Sequence, residues 1–221
     1  MFEGANATML DVQFGTWPCV TSSDCTLAGV FTGTGICPSK FYKQEHLEVI
    51  GVVKAYSTRV GEGVLPTEDL TEYGDTMGRV GKEFGVTTKR KRRCGWLDLV
   101  QMEYSSMLNG FTSLNLTKLD VLNEFDTIKI CVKYVNKAGN EITKYPRDEL
   151  ELSQAIPVYR EFEGWRGFDM KIAKTYEALH PNIKTYIEFI SDTLKINVKY
   201  INTGPRRDQI IVRDHKNYFI I

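Results

Sequence analysis

Five consecutive basic residues, Lys89 to Arg93, stand in a chain whose 28 Lys and Arg are balanced by 28 Asp and Glu. With no global excess of positive charge to draw in a polyanion, the run needs a local explanation. A guanidinium binds a carboxylate or a phosphate through two parallel hydrogen bonds. Thr87 and Thr88, just before the run, add hydroxyls and backbone N–H groups. This composition suits an anion-binding loop. A solvated surface face explains the same residues equally well, and a K/R-rich five-mer also serves as a nuclear address. A nucleic-acid arm is the weaker reading, because no wider basic stripe accompanies the run.

Two other stretches carry nucleotide-like chemistry. Thr117-Lys118-Leu119-Asp120 has the form [NT]-K-x-D. A carboxylate there accepts from both the ring N–H and the exocyclic amine of guanine, a pair that adenine does not offer. The lysine stem can lie along the purine face. Asn202-Thr203-Gly204-Pro205 is the second, with a glycine that permits close backbone approach to a base or ribose. Each tetrapeptide taken alone is also an ordinary polar turn. No G-x-x-x-x-G-K-[ST] phosphate loop occurs. His46, His180 and His215 are scattered, and no residue stands out as a general base. The five cysteines include no C-x-x-C, so neither a disulfide framework nor a zinc site is expected, and a reducing cytosolic setting fits best.

These loops need elements to hold them. At 221 residues and 42% hydrophobic, the chain can bury a substantial core. No apolar run is long enough to cross a bilayer, and no partner membrane is expected. Residues 1–39 read as loops with short strands or helix starts. In "EHLEVIGVVKAYSTRVG", Leu47, Ile50, Val53 and Ala55 recur near helical spacing, which predicts a helix ending before Gly61. Residues 69–85 predict a weak, glycine-broken helix. "GWLDLVQMEYSSMLNG" predicts a helix directly after the basic run, closed by Gly110. "FTSLNL" and "INVKYI" read as strands that empty into the two nucleotide-like loops. Ile128, Ile130, Val132 and Tyr134 alternate, which predicts a β-hairpin turning near Lys137–Asn140. "PNIKTYIEFISDTLK" predicts an amphipathic helix with Pro181 near its start. Strands alternating with helices indicate an α/β fold with a mainly parallel central sheet flanked by helices. Ligands of such sheets gather at the carboxyl ends of the strands.

In order along the chain, "EGANATMLDVQFGTWPCVTSS", "VVKAYSTRVGEG", "LPTED", "EFGVTTKRKRRCGWLD", "LTKLDVL" and "NTGPRRD" resemble adenylosuccinate synthetases. The resemblance runs over nearly the whole chain and covers the C-terminal half of that family. It implies a P-loop-NTPase-like fold without its N-terminal part, extended by the β-hairpin. It implies a ligase that joins IMP and L-aspartate at the expense of GTP, with Mg²⁺ bound by residues outside this chain, in a homodimer. By the same resemblance, Thr87, Thr88, Lys89, Arg90, Lys91 and Arg92 form the aspartate loop. Arg90 is shared with IMP, and Arg92 lies between aspartate and the GTP phosphates. Asn6 and Thr21 fall near the IMP phosphate, and Val60 falls beside the ribose. Lys118, Leu119, Asp120, Asn202, Thr203 and Gly204 surround guanine. The family's phosphate loop, catalytic aspartate and histidine, and trans-acting arginine belong to its other half, so this chain alone is expected to lack ligase activity. Lys89 stands where many members have glycine, and is expected to stiffen the loop or to resist a positive φ.

Overall fold

The computed structural model describes residues 1–42 and 47–213. His46 and His215, and the start of the helix expected from residue 45, lie outside these. After a sparse N-terminal segment come α1 (Ala28–Thr34) and α2 (Pro38–Tyr42). The region expected to be one helix is two strands, β1 (Ile50–Lys54) and β2 (Tyr56–Arg59). The β-branched run Ile-Gly-Val-Val favours extended backbone over the helical spacing of its neighbours. Then follow α3 (Glu72–Val80), β3 (Arg93–Asp98), α4 (Leu99–Asn109) and β4 (Ser113–Thr117). The C-terminal part holds β5 (Thr127–Val135), β6 (Glu141–Ile142), α5 (Glu149–Ser153), β7 (Ile156–Glu163), α6 (Pro181–Leu194), β8 (Asn197–Asn202) and β9 (Ile210–Val212).

The strands form two sheets. In the first, β1, β4 and β8 run parallel, and β9 closes one side antiparallel, in the order β1-β4-β8-β9. The second has the order β2-β3-β5-β6 with β7 also on β5; its one parallel pair is β3 with β5. The mainly parallel sheet is therefore present, accompanied by a largely antiparallel one. The chain passes between them at Ala55, whose carbonyl accepts from the buried Tyr186 hydroxyl of α6 at 2.7 Å. One apolar core joins both sheets: Leu114 and Leu116 of β4, Ile128 and Ile130 of β5, Val198 of β8, and Ile183, Ile187 and Ile190 of α6.

The local chemistry explains the boundaries. Pro181 opens α6, and the His180 side chain accepts from Asn182 N–H at 3.2 Å, so this histidine is a helix cap. The helix expected directly after the basic run begins six residues later. β3 comes first, and Asp98 caps α4 by accepting from Gln101 N–H at 3.1 Å. Gly110 ends α4 with φ +59°, as expected. The hairpin turns at 136–140, with Gly139 at φ +82° and Asn136 N–H donating to the Asn140 carbonyl. A bulge opposite β7 between Cys131 and Lys133 breaks the expected alternation, burying Cys131 fully and Val132 only partly. On the far side of the first sheet β1 leaves Ile50 and Val52 exposed, Val52 at 72%.

Candidate functional site

The three parallel strands end together. Lys54 of β1 pairs with Thr117 of β4, and Leu116 pairs with Ile201 of β8. The loops at 118–120 and 203–204 therefore leave the same rim of the sheet. Lys118 turns the chain with φ +65°, and Leu119, Val121 and Leu122 sink into the core behind it. Asp120 is half-buried, and its side chain makes no hydrogen bond or ion pair with another described residue. Thr203 is buried, with its hydroxyl unpartnered. Asn202 ends β8 opposite Ile210. A Cβ on Gly204 would meet Gln209 Oε1 at 2.5 Å, and that same oxygen accepts from Arg206 N–H. The glycine thus makes room for an internal side chain that braces the loop.

The loop at 85–90 is a hairpin of a different kind. Gly85 N–H donates to the Arg90 carbonyl, Lys89 N–H to the Gly85 carbonyl, and Arg92 N–H to the Glu83 carbonyl, each at 2.9 Å. Residues 86–91, including Thr87 and Thr88, are exposed. Lys89 has φ +56°. The position does take the left-handed conformation that suits glycine, and the lysine adopts it, at about 1 kcal/mol. The expectation that a lysine there would resist a positive φ is corrected accordingly.

Four of the five cations of the run have separate partners. Arg93 is bound by both oxygens of Glu68 and donates to the Gly63 carbonyl at 2.6 Å, so it is built into the frame. Lys91 pairs with Asp75 of α3 at 2.7 Å on the surface. Lys89 is exposed, and Arg90 is over half exposed, with one long pair to Glu62 at 3.8 Å. Arg92 turns inward to Glu83 at 2.9 Å. An open pocket gathers Gly61, Glu62, Arg90 and Lys91, with Glu149 and Ser153 at its far wall. The guanine-type loop lies outside that pocket.

Glu83 connects the two loops. Its side chain is 1% exposed and accepts from Lys54 Nζ at 2.8 Å, Tyr56 Oη at 2.7 Å and Arg92 Nη1 at 2.9 Å. Burial pushes its carboxyl up, but the hydrogen bond and charge of Lys54, then Tyr56 and Arg92, outweigh that and hold it below the usual value. Burial lowers the Lys54 ammonium, assisted by the charges of Arg92 and Lys118 against Glu83. Burial, then Glu83, raises the Tyr56 phenol, and the Asp120 charge is felt there too. Lys118 Nζ donates to the Gly81 carbonyl at 2.8 Å, two residues from Glu83. A Cβ at Gly81 would fall 2.1 Å from Tyr56 Oη.

The residues expected near IMP are less tightly grouped. Asn6 is exposed with φ +66°, and Val60 is 47% exposed beyond the end of β2. Thr21 is half-buried and donates to the Leu10 carbonyl at 2.9 Å. The buried Arg59, next to Val60 in the chain, donates to Thr16 Oγ1, the Cys19 carbonyl and the Glu62 carbonyl. Arg59, Lys54 and Glu83 were not legible as site residues. Key partners of these residues lie 9 to 43 residues away in sequence, a separation that no local pattern reports. Among the described residues no three His, Cys, Asp or Glu side chains converge on a point that could hold a metal ion. None of the described helices is long and apolar enough to cross a membrane.

A family model for adenylosuccinate synthetase matches residues 1–211. The chain is 51% identical over 213 residues to the adenylosuccinate synthetase of Schizosaccharomyces japonicus, covering 96% of this chain and 48% of that protein. It is 50% identical over 211 residues to that of Candida albicans, with the same coverage. The structure of fully ligated adenylosuccinate synthetase from Plasmodium falciparum superposes with a TM-score of 0.91 at 43% identity, over 96% of this chain and 49% of that one. The chain spans about half the length of the curated relatives it matches. It belongs to the adenylosuccinate synthetase family.

Proposed function

We propose that the chain supplies the aspartate- and guanine-nucleotide-binding part of a GTP-dependent ligase that converts IMP and L-aspartate to adenylosuccinate. The observation that carries this reading is the shared rim. The loops after β4 and β8 leave it side by side, and Lys54 at the same rim reaches the carboxylate that holds Arg92. Arg90 and Arg92 then grip the carboxylates of L-aspartate. Asp120, with no internal partner, accepts from the guanine edge, while Lys118, Leu119, Asn202, Thr203 and Gly204 wall the base. Asn6, Thr21 and Val60 line the IMP side. Thr87, Thr88, Lys89 and Lys91 form the rest of the aspartate loop.

In the chemistry this implies, IMP gives up its N1 proton, O6 bonds to the γ-phosphorus of GTP, and GDP leaves. The aspartate amine then forms a bond to C6 and sheds a proton as the C6–O bond breaks and phosphate leaves. Cations aimed at the phosphoryl oxygens dominate the stabilisation of such a step. Mg²⁺ would supply part of that charge, but the described residues offer no cluster to hold it. The reading carries with it a cytoplasmic homodimer. Arg92 and Arg93, engaged by Glu83 and Glu68, are not displayed as a polyanion-binding arm would be.

Titration with guanine and adenine nucleotides tests the base site. GDP is expected to bind at least about fivefold tighter than ADP, since each bidentate base contact is worth about 1–3 kcal/mol. Asp120→Asn swaps an acceptor for a donor and should erase that preference. Equal affinity for both nucleotides in the wild type overturns the reading. The 221-residue chain supplied with IMP, GTP, Mg²⁺ and L-aspartate is expected to give no adenylosuccinate, and turnover would show that it carries the catalytic groups itself.

A further inference from the structure

Glu83 opens the stretch that leads into the 87–92 loop and is given no role by resemblance or motif, yet it is the most enclosed charged group near the rim. One carboxylate faces Lys54 and Arg92 directly, and Lys118 is bound two residues away at Gly81. Arg92 has few alternatives: Glu83 is its one ion-pair partner among the described residues, and its Nε is buried without a partner. Lys54 binds the same Glu83 oxygen as Arg92, Oε2, and is fixed in turn by Thr58 Oγ1 at 2.9 Å. Lys54 also stands in register with Thr117, whose carbonyl accepts from Ala55 N–H at 2.8 Å. A shift of Glu83 therefore moves Arg92 at one end, and the start of the 118–120 loop at the other.

Resting on the function proposed above, we propose that Glu83 is a positioning residue. It sets the Arg92 guanidinium for the amino-acid substrate, and through Lys54 and the Gly81–Lys118 contact it couples that site to the purine-reading loop. The coupling is electrostatic and rigid. Two cations on separate elements share one enclosed acceptor, so neither reorients without the other losing its partner. Glu83→Gln keeps the shape and an acceptor for Tyr56, but leaves Lys54 and Arg92 without their counter-charge.

Two measurements test this. The first is the affinity of the chain for L-aspartate with and without saturating GDP. The wild type is expected to bind L-aspartate about fivefold or more tighter when GDP is present, the low end of ordinary site–site coupling. In Glu83→Gln that ratio should fall to near one. A merely structural role weakens both affinities and leaves the ratio unchanged, and that result overturns the proposal.

The second needs no ligand, so it still decides if the wild type binds neither compound and the functional reading itself fails. Amide hydrogen exchange is followed at Gly85, Lys89 and Arg92 in one loop, at Val121 behind the other, and at Ile187 in α6 as control. Glu83→Gln is expected to speed exchange about tenfold in both loops with the control unchanged. Acceleration confined to 85–92, or spread equally to α6, contradicts coupling through Glu83.

Discussion

Two carboxylates are buried to nearly the same degree, Glu83 at 1% and Asp98 at 2%, and the fold treats them in opposite ways. Among the described residues Asp98 meets no cation. Its partners are the Tyr134 hydroxyl and the N–H of Gln101, and the thiol of Cys131 and the phenol of Tyr145 lie close enough to feel its charge. Burial pushes it up to about 6 against those hydrogen bonds. Glu83 meets two cations and is held low. Burial alone does not set the protonation of an acid; the charge of its neighbours does. The difference also separates two roles. Asp98 caps α4 and closes the small core around Tyr134 and Leu152. Glu83 aligns a guanidinium at a rim where ligands of such sheets collect.

Substitutions can break this contrast. Asp98→Ala should cost most, about 3 kcal/mol, because it removes a helix cap and leaves the Tyr134 hydroxyl buried without an acceptor. Chemical denaturation measures that, and binding of L-aspartate to the folded fraction should be unchanged. Glu83→Gln should cost less, about 2 kcal/mol, since Lys54 and Arg92 keep some access to water. Its larger effect should appear in binding. A variant at position 98 that weakened L-aspartate binding as much as one at 83 would erase the distinction.

Acid should sharpen it. The folded Asp98 holds its proton more firmly than the unfolded chain, so its stabilising contribution grows as pH falls from 7 through about 6. That gain amounts to about 1–2 kcal/mol by pH 4 and should vanish in Asp98→Asn. Glu83 works the other way. Its contribution is present above the ordinary carboxylate range and is lost as pH falls through its lowered value. Denaturation midpoints between pH 7 and 3 should therefore rise and then fall in the wild type, with Glu83→Gln flattening only the acid side. The smallest effect is expected at Lys89→Gly, within about 0.5 kcal/mol. Relief of the positive φ there is offset by the greater freedom glycine gives the unfolded chain.

Local signals revealed much of the frame. The strands feeding 118–120 and 203–204, the hairpin at 136–140, α6 with its proline start and the Gly110 cap all follow from periodicity and turn chemistry within a few residues. Two places misled. Leu47, Ile50 and Val53 satisfy helical spacing, but Ile50, Val52 and Val53 are β-branched and the run becomes β1. Leu97 and Val100 continue one apolar rhythm across a real boundary, where Asp98 ends β3 and caps α4. The basic run left an anion-binding loop and a solvated face equally open and gave no hint of how its five cations divide. Arg93 and Arg92 look alike in sequence, and only the positions of Glu68 and Glu83, 25 and 9 residues away, show that they are held by different parts of the fold.

The outer flank of β1 has a practical consequence. Among the described residues that strand pairs with β4 and with nothing on its other side. It presents a row of free amides and carbonyls beside Ile50 and Val52, a ready template for any extended chain that comes near. Preparations of these 221 residues should therefore become sticky as they are concentrated, and a charged replacement such as Val52→Lys is the simplest way to keep them dispersed.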